Sequence, residues 1–308
     1  MKISVIIPTY NCSALLAASL RALQRQTLPR GQFEVIVCDD GSSDDTAQVA
    51  AGFSGSLALR YLWQADQGFR AATARNLGAA QAQGDILLFL DSGVLLAETG
   101  LEAHCRRHAM RPRQIVIGYV YGYMAEALHQ AWGGPRPDPA WPGRIDAGQV
   151  EHSIAALRAM QVADVREGRY LRHGDELSAW AVPFDVFWTC HVSLELAHFH
   201  EVGGFDDDFR QWGGEDFDLA VRLFNSRGAH WTLDRDCCSI HSPHQEEVAD
   251  HSRREQRIAD TLRNLAARYP QPQLRAYLEC LAENRQPLDV NDYLSRCARM
   301  HRQEIAIC

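Results

Sequence analysis

The chain has 308 residues, of which 46% are hydrophobic, so it is long enough to bury a substantial core in one large domain. Its net charge of −8 argues against a non-specific nucleic-acid binder, which would carry a basic surface. No apolar run reaches the roughly 18–20 residues that span a bilayer, and the nine cysteines lack a repeated Cys-x-x-Cys spacing, which predicts reduced thiols and a cytoplasmic location.

The first third of the chain alternates between strand and helix patterns. Continuous apolar, β-branched runs predict buried strands at residues 3–8, 33–38, 57–62, 85–90 and 115–121. Amphipathic or Ala-rich stretches between them predict helices, including one at residues 71–83. This order predicts an α/β fold with a mainly parallel sheet flanked by helices.

Beyond residue 121 the pattern is less regular. Residues 133–148 contain four prolines and four glycines and predict a loop, whereas residues 153–168 predict a helix. Residues 184–194 predict an aromatic strand, and residues 203–228 predict a Gly-rich turn followed by a helix. The chain after residue 246 is charged and helical in pattern, which indicates a helical C-terminal extension at residues 246–308.

Three carboxylates follow predicted strands directly. Asp39 and Asp40 come after the second strand, and Asp91 comes after the fourth. Because ligands of parallel α/β sheets bind outside the carboxyl ends of the strands, we expect these side chains to face a shared ligand site. The alternative for Asp39 and Asp40 is a purely structural role as a turn or helix cap before Gly41.

Four short segments resemble a known family. They are residues 5–11 (Val-Ile-Ile-Pro-Thr-Tyr-Asn), 37–46 (Val-Cys-Asp-Asp-Gly-Ser-Ser-Asp-Asp-Thr), 74–78 (Ala-Arg-Asn-Leu-Gly) and 89–93 (Phe-Leu-Asp-Ser-Gly). In this order and spacing they resemble the family-2 glycosyltransferases, whose fold is the Rossmann-like GT-A fold. Residues 1–120 would then form the half of the domain that binds a nucleotide-sugar donor.

A second resemblance lies further along the chain. Residues 203–206 (Gly-Gly-Phe-Asp) and 212–219 (Trp-Gly-Gly-Glu-Asp-Phe-Asp-Leu) resemble the acceptor-side segment of galactosyltransferases and of chondroitin-polymerase-like bacterial transferases. The resemblance implies that residues 121–245 form the acceptor-binding and catalytic half of the same GT-A domain.

The resemblance also implies which residues bind the donor, with a UDP-sugar favoured. The expected donor-binding residues are Pro8, Thr9, Asp39, Asp40, Arg75, Asp91 and Ser92. Pro8 and Thr9 would line the base pocket, and Asp39 or Asp40 would accept hydrogen bonds from the base or the ribose. Arg75 would face the diphosphate or the sugar; its alternative is an ion pair on a solvated helix face.

A divalent metal is the usual partner of the leaving diphosphate, because it stabilises the growing negative charge. The family binds it with an Asp-x-Asp segment after the fourth strand. Asp91 matches the first aspartate, but Gly93 replaces the second. The resemblance implies that Asp91 and His241 would hold Mn²⁺ or Mg²⁺, because family members often carry a histidine after the acceptor segment and a borderline ion such as Mn²⁺ accepts imidazole as well as carboxylate. The alternative for His241 is a packed or surface histidine.

The acceptor hydroxyl needs a base, because an alcohol is a poor nucleophile until its proton leaves. We predict Asp216 as that base and Glu215 as a residue that holds sugar hydroxyls, with Trp212 and Gly214 on the acceptor side. Glu215 and Asp216 could instead only stabilise the first turn of a helix.

The leading hypothesis is an inverting glycosyltransferase that acts by direct displacement. Carbohydrate, natural-product, lipid-linked and peptide acceptors all remain open, as does a homodimer. A nucleotidyltransferase is disfavoured because residues 8–11 (Pro-Thr-Tyr-Asn) replace the Gly-rich loop that such enzymes carry after the first strand. The non-enzymatic alternative is a degenerate nucleotide-sugar-binding or scaffolding subunit, which Gly93 favours.

Overall fold

The computed structural model describes residues 1–123, 140–211 and 213–243, and positions 261, 264, 265, 267–269, 274, 275, 277, 278 and 291. Its strands are β1 (Ile3–Thr9), β2 (Phe33–Asp39), β3 (Leu59–Trp63), β4 (Ile86–Leu90), β5 (Val94–Leu96), β6 (Gln114–Tyr121), β7 (His191–Glu195) and β8 (His230–His241). Its α-helices are α1 (Ser13–Gln24), α2 (Thr46–Phe53), α3 (Ala71–Gln81), α4 (Gly100–Met110), α5 (Val150–Ala159), α6 (Glu167–His173), α7 (Leu196–Glu201) and α8 (Glu215–Asn225).

The strands form one sheet in the order β3-β2-β1-β4-β7-β6-β8-β5. Strands β1, β2, β3 and β4 are all parallel to one another. Strand β7 is antiparallel to β4 and β6, and β8 is parallel to β6. The expected α/β fold with a mainly parallel sheet and flanking helices is therefore confirmed. Because β1, β2 and β4 are parallel neighbours, their carboxyl ends meet at one edge of the sheet.

The core lies on both faces of this sheet. Strand β1 shows why: Ile6 packs into the cluster on one face, while Val5 and Ile7 pack into the cluster on the other. Helix α3 lies close against the sheet, since a Cβ at Gly78 would be 2.5 Å from the Cys38 sulfur. This close approach brings the preceding turn of α3, with Arg75, to the strand ends.

Two predicted elements after residue 121 differ from the structure. The predicted strand at residues 184–194 starts only at His191, because Pro183–Val186 forms a 3₁₀ helix that directs Phe184 into the core. Proline fixes its own φ and lacks an N–H, so it favours the start of such a turn. The predicted helix at residues 153–168 is two helices, α5 and α6, with Gln161 at φ +59° between them.

The longest strand, β8, is missing from the sequence prediction. Its middle carries the charged residues Asp234, Arg235 and Asp236, which hide the strand pattern. Gly118 of β6 pairs with Asp234, whereas the next residue, Tyr119, pairs with Cys238, so this register shift leaves Arg235 and Asp236 outside the regular ladder. Arg235 is bound there by carboxylates rather than by the sheet.

Within the described ranges, none of the helices combines the length and the apolar character needed to cross a bilayer. The six cysteines that can be placed, Cys12, Cys38, Cys105, Cys190, Cys237 and Cys238, are free thiols.

Candidate active site

A cavity of about 1100 Å³ opens at the carboxyl ends of β1, β2 and β4. Nine of the residues predicted for the site line it: Pro8, Thr9, Asp40, Arg75, Asp91, Ser92, Gly214, Glu215 and Asp216. Asp39 and His241 lie outside its lining. Trp212, the predicted sugar-binding face, falls outside the described residues.

Asp39 serves the turn after β2. Its Oδ1 accepts hydrogen bonds from the N–H groups of Gly41 at 3.0 Å and Ser42 at 2.7 Å, and its Oδ2 accepts one from the Tyr61 hydroxyl. Gly41 has φ +96°, and a Cβ there would be 2.4 Å from the Asp66 nitrogen, so glycine is required. The buried Asp39 carboxylate therefore has internal partners on both oxygens.

Asp40 is the member of the pair that lines the cavity. Its N–H donates to the Thr9 carbonyl at 2.9 Å, which joins the ends of β1 and β2. Its carboxylate accepts hydrogen bonds from the Gln64 amide at 2.5 Å and the Arg70 N–H at 2.7 Å. Both strand ends and the loop before α3 are thus held against one another at the mouth of the site.

Arg75 joins the two halves of the site. Its guanidinium, in a residue only 5% exposed, donates to Asp91 Oδ1 at 2.9 Å and to Glu215 Oε1 at 3.3 Å, and lies 3.8 Å from Asp216 Oδ1. Burial opposes the charged form, but these three carboxylates outweigh it and raise the pKa of Arg75. The Arg75 guanidinium therefore binds both Asp91, 16 residues away in the sequence, and Glu215, 140 residues away.

Glu215 and Asp216 open helix α8. Gly213 and Gly214 precede them with φ values of +93° and +105°, and a Cβ at Gly214 would be 2.3 Å from Thr261 Cγ2. The two glycines permit a turn that other residues could adopt only with strain. This turn directs both carboxylates into the cavity.

Glu215 is an unusually placed acid. Burial and the neighbouring charge of Asp216 raise the pKa of Glu215 to about 7, although Arg75 opposes this. Its Oε2 is buried and has no hydrogen-bond partner in the part of the chain that the structure describes. Such an atom can donate a hydrogen bond to a bound hydroxyl when it carries the proton.

Asp216 is held by Thr189, a residue that sequence reasoning missed. The Thr189 N–H donates to Asp216 Oδ2 at 3.0 Å, and the Thr189 hydroxyl donates to Oδ1. Partial removal from water raises the pKa of Asp216, while Arg75 and Thr189 act in the opposite direction. No pattern in the sequence singles out this threonine, because it lies before β7 and is 27 residues from its partner.

The predicted metal ligands lie on adjoining elements. Strand β5, which begins three residues after Asp91, pairs Val94 with His241, and the Ser242 N–H donates to the Gly93 carbonyl at 2.8 Å. The Asp91 side chain is 35% exposed, and only its Oδ1 is taken by Arg75. If Mn²⁺ or Mg²⁺ binds at this edge, the Asp91 carboxylate and the His241 imidazole would be the residues that hold it, and the ion would supply positive charge to a diphosphate.

Gly93 replaces a metal ligand of the family motif, and it also has a backbone conformation that favours glycine. It has φ +92°, and a Cβ there would be 3.2 Å from a Leu15 methyl group. The turn after β4 therefore has a conformation that an aspartate at position 93 could adopt only with strain. Among the described residues, no group of three or more His, Cys, Asp or Glu could hold a metal ion.

The fold is that of the GT-A class. The chain belongs to glycosyltransferase family 2, whose model matches residues 4–159. The model described as the N-terminal domain of galactosyltransferase matches residues 171–244, so both expected resemblances are confirmed.

Curated relatives are longer than this chain. Validoxylamine A glucosyltransferase of Streptomyces hygroscopicus subsp. jinggangensis is 38% identical over 246 residues, which is 79% of this chain and 56% of that protein. Hyaluronan synthase of Pasteurella multocida is 28% identical over 261 residues, covering 79% of this chain and 24% of the synthase. The chain thus spans about half the length of the first relative and less of the second.

Solved structures show the same fold. Staphylococcus aureus TarS in complex with UDP-GlcNAc has a TM-score of 0.61 at 18% identity, over 87% of this chain and 66% of TarS. A mannosyltransferase of Pyrobaculum calidifontis in complex with GDP-Man and Mn²⁺ has a TM-score of 0.57 at 20% identity, over 97% of this chain and 75% of that enzyme. At these identities the likeness concerns the fold alone.

Proposed function

We propose that this chain transfers a sugar from a nucleoside-diphosphate sugar to an acceptor hydroxyl. One observation carries the proposal: Arg75 binds Asp91, from the donor half, and Glu215, from the acceptor half, inside one cavity. A protein that only binds a nucleotide does not need Glu215 and Asp216 in contact with its donor site. The domain division at residues 120 and 245 stays a prediction.

Asp216 is proposed as the general base. Its carboxylate lines the cavity, and its side chain is 27% exposed, so an acceptor hydroxyl can reach it. Asp216 takes the hydroxyl proton, the oxygen forms a bond to the anomeric carbon, and the bond from that carbon to the diphosphate oxygen breaks with its electron pair. One in-line displacement inverts the anomeric centre. Glu215 holds a sugar hydroxyl through its buried carboxyl group.

A UDP-sugar is the proposed donor. Pro8 and Thr9 line the cavity beside Asp40, as a base and ribose pocket would require, and Asp39 acts through the turn that it holds. The S. aureus TarS structure contains UDP-GlcNAc, which supports UDP, whereas the P. calidifontis structure contains GDP-Man, so GDP is the competing nucleotide.

Asp91 and His241 are the proposed ligands of Mn²⁺ or Mg²⁺. A bound ion would supply positive charge to the departing diphosphate. Arg75 adds a second, permanent positive charge at the same edge of the cavity, because its guanidinium contacts Asp91. In this proposal Asp91 contacts the Arg75 guanidinium and also binds the metal ion at the diphosphate end of the donor.

A binding or scaffolding subunit is the second candidate, favoured by the glycine at position 93. A homodimer and a cytoplasmic location are further predictions, the latter supported by the free thiols.

A thermal-shift panel separates the two candidates. UDP-, TDP- and GDP-sugars are added with and without MnCl₂, and release of the nucleoside diphosphate is followed in parallel. We expect one donor to stabilise the protein more in the presence of Mn²⁺, and its nucleotide to be released on turnover. Stabilisation without any turnover would support the scaffold, and no stabilisation by any donor would contradict both candidates.

A further inference from the structure

Each of the two acceptor-side motif segments contains an aspartate that lies outside the cavity lining. Asp206 ends the segment at residues 203–206, and Asp218 belongs to the segment at residues 212–219. Neither donor binding nor proton transfer uses these two carboxylates. Asp218 is fully buried, although it lies only two residues after the proposed base. A buried carboxylate requires partners, and those of Asp218 come from two parts of the chain.

Four hydrogen bonds hold the Asp218 carboxylate. Its Oδ2 accepts two from Arg222, which lies one turn further along α8, at 2.9 Å from Nε and 2.6 Å from Nη2. Its Oδ1 accepts one from Arg268 Nη1 at 3.1 Å and one from the Tyr269 hydroxyl at 2.7 Å. Asp218 therefore joins α8 to the C-terminal extension, 50 residues further along the chain.

Arg268 bridges the two motif aspartates. Its Nη1 lies 2.5 Å from Asp206 Oδ2 and 3.1 Å from Asp218 Oδ1. Arg222 extends the network, because it also donates to the Val202 carbonyl at 2.6 Å. The C-terminal extension, helix α8 and the segment after α7 are thus held together at Asp218.

The same extension contacts the turn that precedes the proposed base. A Cβ at Gly214 would be 2.3 Å from Thr261 Cγ2, so Thr261 lies directly against the backbone of this turn. The Asp218 N–H donates to the Gly214 carbonyl at 2.9 Å, and this bond closes the first turn of α8 around Glu215 and Asp216. Thr261 and Asp218 therefore hold the turn from two sides.

Asp218 acts on Asp216 through the backbone. Side chains two residues apart on an α-helix point about 200° away from each other. Accordingly, Asp216 lines the cavity, whereas Asp218 faces Arg268. A misplacement of about 1 Å can lower a reaction rate by about 10²-fold. Contacts that fix the first turn of α8 therefore affect the rate as well as the stability.

We propose that Asp218 and Arg268 are positioning residues for Asp216, and that the C-terminal extension fixes the first turn of α8 through them. The proposal rests on the proposed function. Because Arg268 does not line the cavity, its loss should lower kcat and leave donor affinity unchanged.

Hydrogen exchange of the full chain, followed by mass spectrometry, tests the contact directly. In Arg268→Met the amides of residues 214–219 should exchange about tenfold faster than in the wild type, because two ionic contacts are lost. Tyr269→Phe is the milder variant if Arg268→Met does not fold. It removes one donor to Asp218 and should speed the same exchange about threefold.

Hydrolysis of UDP-glucose, followed as release of UDP, tests the effect on the reaction. In Arg268→Met we expect kcat to fall by about 10- to 100-fold, with an unchanged KM and an unchanged calorimetric Kd for UDP. Arg268→Lys should recover most of kcat, because a single nitrogen of Arg268 contacts both aspartates.

Arg235→Met is the matched control. Arg235 also binds two carboxylates, those of Asp175 and Glu167, and neither of them lies on α8. Its side chain is 40% exposed, compared with 49% for Arg268. The control should leave kcat and the exchange of residues 214–219 near their wild-type values.

The outcomes separate this proposal from the proposed function. Unchanged exchange in Arg268→Met, faster exchange with an unchanged kcat, or an equal fall of kcat in Arg235→Met would each overturn the positioning role. Failure of the wild type to bind or turn over any nucleotide sugar would overturn the proposed function, and the exchange rates would still decide whether the C-terminal extension fixes the turn.

Discussion

Thr189 holds the carboxylate of Asp216 with both its backbone N–H and its hydroxyl group. The threonine is fully buried at the start of the segment that leads into β7, whereas Asp216 lies in the first turn of α8. Two donors to the ionised carboxylate lower the pKa of Asp216 and so oppose the effect of its removal from water.

Thr189→Val should therefore leave the base in place but keep it protonated up to a higher pH. Loss of the hydroxyl raises the pKa of Asp216, so the acid limb of the pH profile for donor hydrolysis should move up by about one pH unit. The KM for the donor should stay unchanged. Thr189→Ser restores the hydroxyl and should restore the profile; a profile identical in the valine and wild-type proteins would contradict the role.

Asp216→Asn should lower transfer by about 10² to 10⁴-fold, because the amide cannot take the acceptor proton. Nucleotide binding, measured by calorimetry, should persist. Glu215→Gln is the informative comparison: it keeps a neutral hydrogen-bond donor where burial raises the pKa of Glu215 to about 7, so most of its activity should remain near neutral pH. Wild-type turnover in Asp216→Asn would show that another group is the base.

Arg75→Met should destabilise the protein by about 3 kcal/mol at pH 8, because it leaves the buried Glu215 carboxylate without its cation. The loss should be smaller at pH 5, where the carboxylates around position 75 can take up protons. Urea unfolding at both pH values measures this. Arg106→Met, at an exposed ion pair with Asp236, is the control and should cost less than about 1 kcal/mol.

Asp91→Ala should weaken UDP binding in the presence of Mn²⁺ and leave metal-free binding nearly unchanged. Gly93→Asp should not strengthen Mn²⁺ binding, although it recreates the family motif, and it should cost about 1–3 kcal/mol of stability, since position 93 has φ +92°. Calorimetric titrations with and without Mn²⁺ decide both points. Activity that survives a chelator unchanged would eliminate the metal from the mechanism.

A buried histidine cluster should make the fold sensitive to acid. His104 bonds to His191 at 2.9 Å, and both His104 and His108 bond to the Ser193 hydroxyl. Burial lowers the pKa of all three histidines, to about 4 for His108 and about 3 for His191, where the Arg166 charge contributes. The folded chain therefore binds fewer protons than the unfolded chain below pH 6.5, and stability falls as the pH falls.

When the pH falls from 7 to 5, each buried histidine should lower the free energy of unfolding by about 2 kcal/mol. His108→Gln should remove one such contribution, which urea unfolding at the two pH values measures. His152→Gln, at an exposed position, should leave the pH dependence unchanged. An equal pH dependence in His108→Gln and wild type would contradict the assignment.

The sequence by itself determined the first half of the fold. Strands such as β1, β2 and β4 are continuous apolar runs, and the order of strands and helices left few ways to arrange a parallel sheet. Asp40 and Asp91 were predicted because each follows a recognisable strand, and Asp216 was predicted from the resemblance of residues 212–219 to a known acceptor-side segment. Local composition carries this kind of information.

Tertiary structure alone decided how these residues act. The contact of Arg75 with Glu215 spans 140 residues, and Asp206, Asp218 and Arg268 come together from segments with no common pattern. Strand β8 was hidden because its charges are bound by residues distant in sequence. Burial, ion pairing and pKa depend on which atoms surround a group in space, and the order of residues along a chain does not contain that information directly.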